Sequence, residues 1–147
     1  MEKRSGPKNW PAAPLEVGSP RLTEEGPAAR IGGILQRLSS LPGVRGVAIA
    51  DHAGLPVASE LPGGAKVLEV TAMTTLALQS CSSVLRNLTA EGLETIMIEG
   101  ATSTIVIHAL GQGQLGLFCV LDKTGSVGLV WLESRRCARE LEEVLGV

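Results

Sequence analysis

VLEVTAMTTLALQSCSSVLRN, Val67–Asn87, forms the middle of a run from Lys66 to Leu88 that reads as one helix of about six turns at 3.6 residues each. Between Val70 and Leu85 it carries no charged side chain. Placed at 100° per residue, Leu76, Met73, Val84, Ala77, Val70, Leu88, Cys81, Val67, Leu85 and Leu78 fill an arc of about 200°, well beyond the stripe of about 100° that a surface helix needs. One sheet face cannot cover all of that. The remaining arc holds Ser82, Thr75, Gln79, Ala72 and Ser83, with Arg86 near its C-terminal end, and side chains this short let a second backbone come close. The expectation is a helix that packs on its own sheet and also on a partner. Burial inside a single monomer is the alternative, but a chain of 147 residues has little else with which to bury it.

On the N-terminal side, Pro62-Gly63-Gly64 supplies slack before the helix. Ahead of it, Val44 to Ala50 and Leu55 to Ser59 read as two strands joined through Asp51-His52-Ala53-Gly54, where Asp51 can close an Asx turn and Gly54 can take positive φ. Pro56 removes a ladder donor and places the second strand at a sheet edge. Ile31, Ile34, Leu35, Leu38 and Leu41 give Ala28 to Leu41 the spacing of an amphipathic helix, which Pro42-Gly43 ends. Residues 1 to 27 hold Pro7, Pro11, Pro14, Pro20 and Pro27 with scattered charges, so a disordered Pro-rich tail is expected there and a single domain over 28 to 147. Trp10 before Pro11 is the tail's one aromatic side chain.

On the C-terminal side, Thr95 to Glu99 alternates, with Ile96 and Ile98 on one side and Thr95 and Met97 on the other. Gly100-Ala101 and Gly111-Gln112-Gly113 then turn the chain into Thr104 to Leu110 and Leu115 to Leu121, a three-strand meander. Ser126 to Leu145 reads as a closing amphipathic helix with Ser126 as N-cap. The order α-β-β-α-β-β-β-α predicts an α/β fold of the α+β type: a five-stranded antiparallel sheet flanked by helices on both faces.

The totals exclude several functions. Thirteen Lys and Arg against fifteen Asp and Glu give a net charge of −2, and the aromatics are Trp10, Phe118 and Trp131, a poor match to nucleic-acid binding. Cys81, Cys119 and Cys137 are an odd set without C-x-x-C spacing, which speaks against a disulfide framework or zinc site and for a reducing cytoplasm. No secretory h-region is present. Neither long uncharged stretch reads as a membrane span, since one is rich in Thr and Ser and the other is broken by Gly-Gln-Gly-Gln.

Catalytic signatures are likewise missing. Gly111-Gln112-Gly113-Gln114-Leu115-Gly116 spells G-x-G-x-x-G, but it leads into a strand, whereas the dinucleotide fingerprint must open a helix. No G-x-x-x-x-G-K-[ST] or G-x-S-x-G occurs, and His52 and His108 lack partners at metal-ligand spacing. The expectation is no catalytic residue, no metal and no cofactor. A small-ligand sensor, built on Thr104, His108 and Cys119, is a lesser alternative.

The hairpin GVRGVAIADHAGLPVAS (43 to 59), the pair TIMIEGATSTIVIHAL (95 to 110) and LGLFCVLDKTGSVGLV (115 to 130) together resemble the Roadblock/LC7 family over about residues 28 to 147. The resemblance implies a homodimer, or a heterodimer with a related Roadblock protein, in which third strands pair edge to edge and central helices pack together. It also implies a small Ras-like GTPase as partner, activated in bacterial MglB-like members by repositioning of the GTPase's own groups rather than by an arginine finger. Scaffold subunits and dynein light chains are the family's other roles. The partner surface expected on this basis is Thr75, Gln79, Ser82 and Arg86 on the helix with Thr95 and Met97 on the strand, and Ser82→Arg is expected to weaken dimerisation. Arg45, Arg86, Arg135 and Arg136 are read as surface charges.

Overall fold

The computed structural model describes residues 26–63 and 65–147. The tail expected over residues 1 to 27 falls outside them up to residue 25. Helix α1 (Pro27–Ser39) opens with proline at its first helical position, where a missing N–H is no loss. It is followed by β1 (Val44–Asp51), β2 (Pro56–Glu60), α2 (Val67–Thr89), β3 (Thr95–Glu99), β4 (Ser103–Leu110), a one-turn 3₁₀ segment over Gly111–Gly113, β5 (Leu115–Asp122) and α3 (Val127–Leu145). All eight major elements stand where hydropathy periodicity placed them.

The sheet runs β2-β1-β5-β4-β3, with every neighbouring pair antiparallel. Short connections join β1 to β2, β3 to β4 and β4 to β5, α2 spans from β2 to β3, and the first and last strands meet in the middle, so β2 and β3 become the two edges. The β1–β2 turn is held by Asp51, whose Oδ1 accepts from the N–H groups of Ala53 and Leu55, both at 2.9 Å, while Gly54 takes φ +85°.

Alternation sorts the strand residues into two cores. One row across the sheet, Ala48–Phe118–Ile107–Ile96, faces α2, where Leu78 joins it. The next row, Val47–Cys119–Val106, faces the opposite way and packs with Ile31, Ile34, Leu35 and Leu38 of α1 and Val130, Cys137 and Leu141 of α3. Helix α3 begins at Ser126, whose Oγ accepts from the Leu129 N–H at 3.2 Å, the cap expected from sequence.

Candidate interaction surface on helix α2 and strand β3

Helix α2 meets the sheet through threonines. Thr71, Thr74, Thr75 and Leu78 are its buried residues, and the hydroxyls of the first three are all satisfied. Thr71 Oγ1 donates to the Gly54 carbonyl at 2.8 Å and Thr75 Oγ1 to the Asp51 carbonyl at 2.9 Å. Thr74 Oγ1 donates back to Val70 O at 2.8 Å. The Thr74 methyl lies beside Gly116 of β5. Gly116 lets the helix come in close: a Cβ there would lie 2.4 Å from Leu78 Cδ1.

This corrects the assignment of helix faces. The small-residue arc was expected to receive a partner's backbone, but its Thr75 is buried against the chain's own β1–β2 turn. Ser82 is half-buried, and Gln79 and Arg86 are exposed on the flank beside it. The apolar arc is what stays open. Met73, Leu76, Val84 and Leu88 are 64%, 61%, 59% and 79% exposed, a contiguous stripe on the other flank of α2, with Val70 and Ala77 half-buried along its border. A Ser82→Arg change would sit off this stripe.

Strand β3 adds to the open apolar surface. Among the described residues it is hydrogen-bonded on one side, to β4, and Met97 and Ile98 are exposed on its two faces. A short strand with bare N–H and C=O groups and apolar side chains is a template for pairing with another strand. Of the residues expected at the partner surface, Met97 lies in this edge, and Thr95 is half-buried at its start.

Thr95 belongs to a polar network with His108, one of the few polar side chains in the core. His108 Nε2 lies 2.6 Å from Ser134 Oγ, and that hydroxyl donates to the Trp131 carbonyl at 3.1 Å. Ser134 therefore accepts from His108 Nε2–H, and Nδ1 accepts from the Thr95 hydroxyl at 3.1 Å. The imidazole is neutral in this arrangement. Burial, and secondarily the charge of Arg135, push its pKa down from 6.5 to about 4. Folding thus disfavours the protonated form, so the network's full contribution is present above about pH 6.5 and is lost as the pH falls towards 4. Between about pH 7 and about pH 5 the loss is expected to be about 1–2 kcal/mol of unfolding free energy. Urea titrations at the two pH values measure it, and a His108→Asn variant is expected to lose most of that pH slope; an unchanged slope would mean that other groups carry it.

The sensor residues are not gathered into one site. Thr104 and Cys119 are buried in the sheet, and burial raises the Cys119 thiol far above its ordinary value, which leaves it an inert hydrophobe. His108 alone of the three reaches a cleft. The G-x-G-x-x-G run forms the 3₁₀ turn into β5, so no helix N-terminus stands behind it to receive a pyrophosphate. Among the described residues no cluster of three or more His, Cys, Asp or Glu could hold a metal ion. None of the described helices is long and apolar enough to cross a membrane.

A profile of the Roadblock/LC7 domain matches residues 31–122. The chain belongs to the Roadblock/LC7 family. Among curated relatives it is 29% identical over 109 residues to the uncharacterised protein MJ0714 of Methanocaldococcus jannaschii, covering 74% of this chain and 91% of that one. Among solved structures, MglB of Myxococcus xanthus superposes with a TM-score of 0.75 at 18% identity, over 80% of this chain and 95% of that chain. The gliding protein MglB of Thermus thermophilus gives 0.72 at 20% identity, over 86% and 96%. A Roadblock/LC7 domain of Streptomyces avermitilis gives 0.68 at 12% identity, over 79% and 94%. At such identities the likeness is one of fold. It covers the five-stranded antiparallel sheet and its three helices, the Roadblock/LC7 architecture expected from the three quoted segments.

Proposed function

We propose that this chain is a non-catalytic Roadblock/LC7 dimer that binds a small Ras-like GTPase and modulates its nucleotide state or positioning. The observation that carries the reading is the open apolar stripe Met73–Leu76–Val84–Leu88 on α2, together with the unpaired edge of β3. Two copies related by a two-fold axis would bury both features at once, strand against strand and helix against helix. The joined helices would then offer one continuous surface to a GTPase, and the likeness in fold to MglB supports that class of partner.

In this reading the arginines do not enter the partner's active site. Arg45 Nη1 is 3.0 Å from Asp122 Oδ2, Arg136 is paired with Glu133 at 3.5 Å, and Arg135 lies over the Trp131 ring at 5.2 Å and pairs with Glu94 at 3.5 Å. Regulation proceeds by holding the GTPase's own groups in place, and the protein remains in the reducing cytoplasm with that partner.

The test is single-turnover GTP hydrolysis by a Ras-like GTPase of the same cell, with and without this chain, alongside a pull-down. Saturable binding with a rise in rate well below the ~10³ to 10⁵-fold of an inserted arginine is expected. That rise should persist in Arg45→Ala and Arg136→Ala and vanish in the Met73→Glu/Leu76→Glu variant. Binding with unchanged turnover would assign the protein to the scaffold or light-chain role. No binding to any Ras-like GTPase would overturn the reading.

A further inference from the structure

At the end of the sheet where β3 begins and β4 finishes lies a cleft of about 790 Å³, inside the range of about 300–1,000 Å³ typical of small-ligand sites. Its walls come from elements far apart in sequence: Arg86 near the C-terminal end of α2, and Arg135 and Arg139 one turn apart on α3. Thr95 and His108 line it between them. A smaller pocket of about 220 Å³ shares Arg86 with it and runs on along the polar flank of α2 past Gln79. The apolar stripe is on the other flank of α2 from both pockets.

The charges in this cleft are unbalanced. Among the described residues three arginines line it against two carboxylates, Glu94 and Glu142, in a chain whose overall charge is −2. Glu142 Oε2 is occupied in accepting the Gly111 N–H at 3.0 Å, and Glu94 reaches only Arg135, at 3.5 Å. Among the described residues Arg86 and Arg139 have no carboxylate within salt-bridge distance. Arg86 makes one long contact, 3.4 Å to Ser82 Oγ on its own helix. At the mouth, Gln112 has φ +59° between two glycines of positive φ, a conformation that residues with a Cβ adopt rarely, and it borders both pockets. His108 is held neutral, so the cleft offers arginine forks and a carboxamide around a polar, uncharged floor.

Arginine forks are matched by planar carboxylates and by phosphates, each accepting two N–H bonds at once. We propose that this cleft binds a small polyanion, a metabolite with two or more phosphate or carboxylate groups, held between Arg86 on one wall and Arg135 and Arg139 on the other. The GTPase reading is not needed for this. It makes the protein a small-ligand binder whose site sits at the start of the β3 edge.

The test is calorimetric titration of the full chain with pyrophosphate and, separately, with citrate, at matched ionic strength. Saturable binding of one or both is expected, pyrophosphate alone marking the phosphate class and citrate alone the carboxylate class. Arg86→Gln and Arg139→Gln are each expected to weaken it by about tenfold or more, the effect of removing a charged hydrogen-bond donor. Arg136→Gln, whose guanidinium pairs with Glu133 outside the cleft, is expected to leave it unchanged. Three outcomes would overturn the proposal: no saturable binding of either anion up to about 10 mM, where affinities fall below those of a specific site; binding unaffected by the two cleft variants; or an equal loss in Arg136→Gln.

Discussion

The Met73→Glu/Leu76→Glu variant is expected to remain folded and to lose self-association by at least about a hundredfold. Both side chains are exposed in the protomer, so neither change opens a cavity, and Glu has nearly the helix propensity of Leu and Met. In a paired state the same positions face a second apolar helix, where a carboxylate has no counter-charge. Burying one unpaired charge costs about 3 kcal/mol or more, and every 1.4 kcal/mol is about a factor of ten in the association constant. Sedimentation equilibrium and far-UV circular dichroism on the same sample separate the two effects. A folded variant that associates as well as the parent chain would remove α2 from the interface.

The second large effect is expected at Gly43. The turn between α1 and β1 crosses the turn between β5 and α3 backbone to backbone: a Cβ on Gly43 would lie 2.3 Å from both Cα and N of Gly125. Gly43 also has φ +84°, and its carbonyl accepts the Asp122 N–H at 2.8 Å, so the contact is tied down from both sides. A residue with a Cβ pays about 1–2 kcal/mol for the left-handed conformation, and overpacking against atoms that cannot swing away adds about 1–3 kcal/mol. Gly43→Ala is therefore expected to cost about 3 kcal/mol or more, a large part of the roughly 5–15 kcal/mol that holds a domain folded. The control is Gly63→Ala, where a Cβ would meet nothing within 4 Å and the expected change is near zero. Urea midpoints for the pair decide the matter, and equal midpoints would mean that the two turns can move apart.

The legible part of this fold is the part governed by local chemistry. Ile31, Ile34, Leu35 and Leu38 repeat with helical period and are buried together; Asp51 and Gly54 specify their turn; Ser126 caps its helix. Such signals act within a few residues and survive any tertiary arrangement. Thr71, Thr74 and Thr75 count as polar in a periodicity plot, yet they are buried beside Leu78 on the face of α2 that meets the sheet. Each satisfies its hydroxyl on a nearby carbonyl and so behaves as a small, β-branched apolar group. The glycine that accepts the helix, Gly116, sits on β5, and nothing local announces which helix it will receive.

The arginine cleft was invisible for a related reason. Arg86 and Arg139 are brought near each other by the whole β3–β4–β5 meander, and each alone is an ordinary surface charge. The network through Thr95 and Ser134 makes His108 a satisfied structural residue. Its place at the edge of the cleft depended on β4 pairing with β3 in the register Thr95↔His108. A one-residue slip would turn the imidazole to the α2 face.

All of these points meet in the uncovered stripe of α2 and the free edge of β3. The direct test is the mass of the unmodified full-length chain by sedimentation velocity across a wide dilution series. The prediction is a species of twice the 15.3 kDa chain, falling apart only in the Met73→Glu/Leu76→Glu variant. A stable 15.3 kDa species at every concentration, with Met73 and Leu76 open to water, would contradict it.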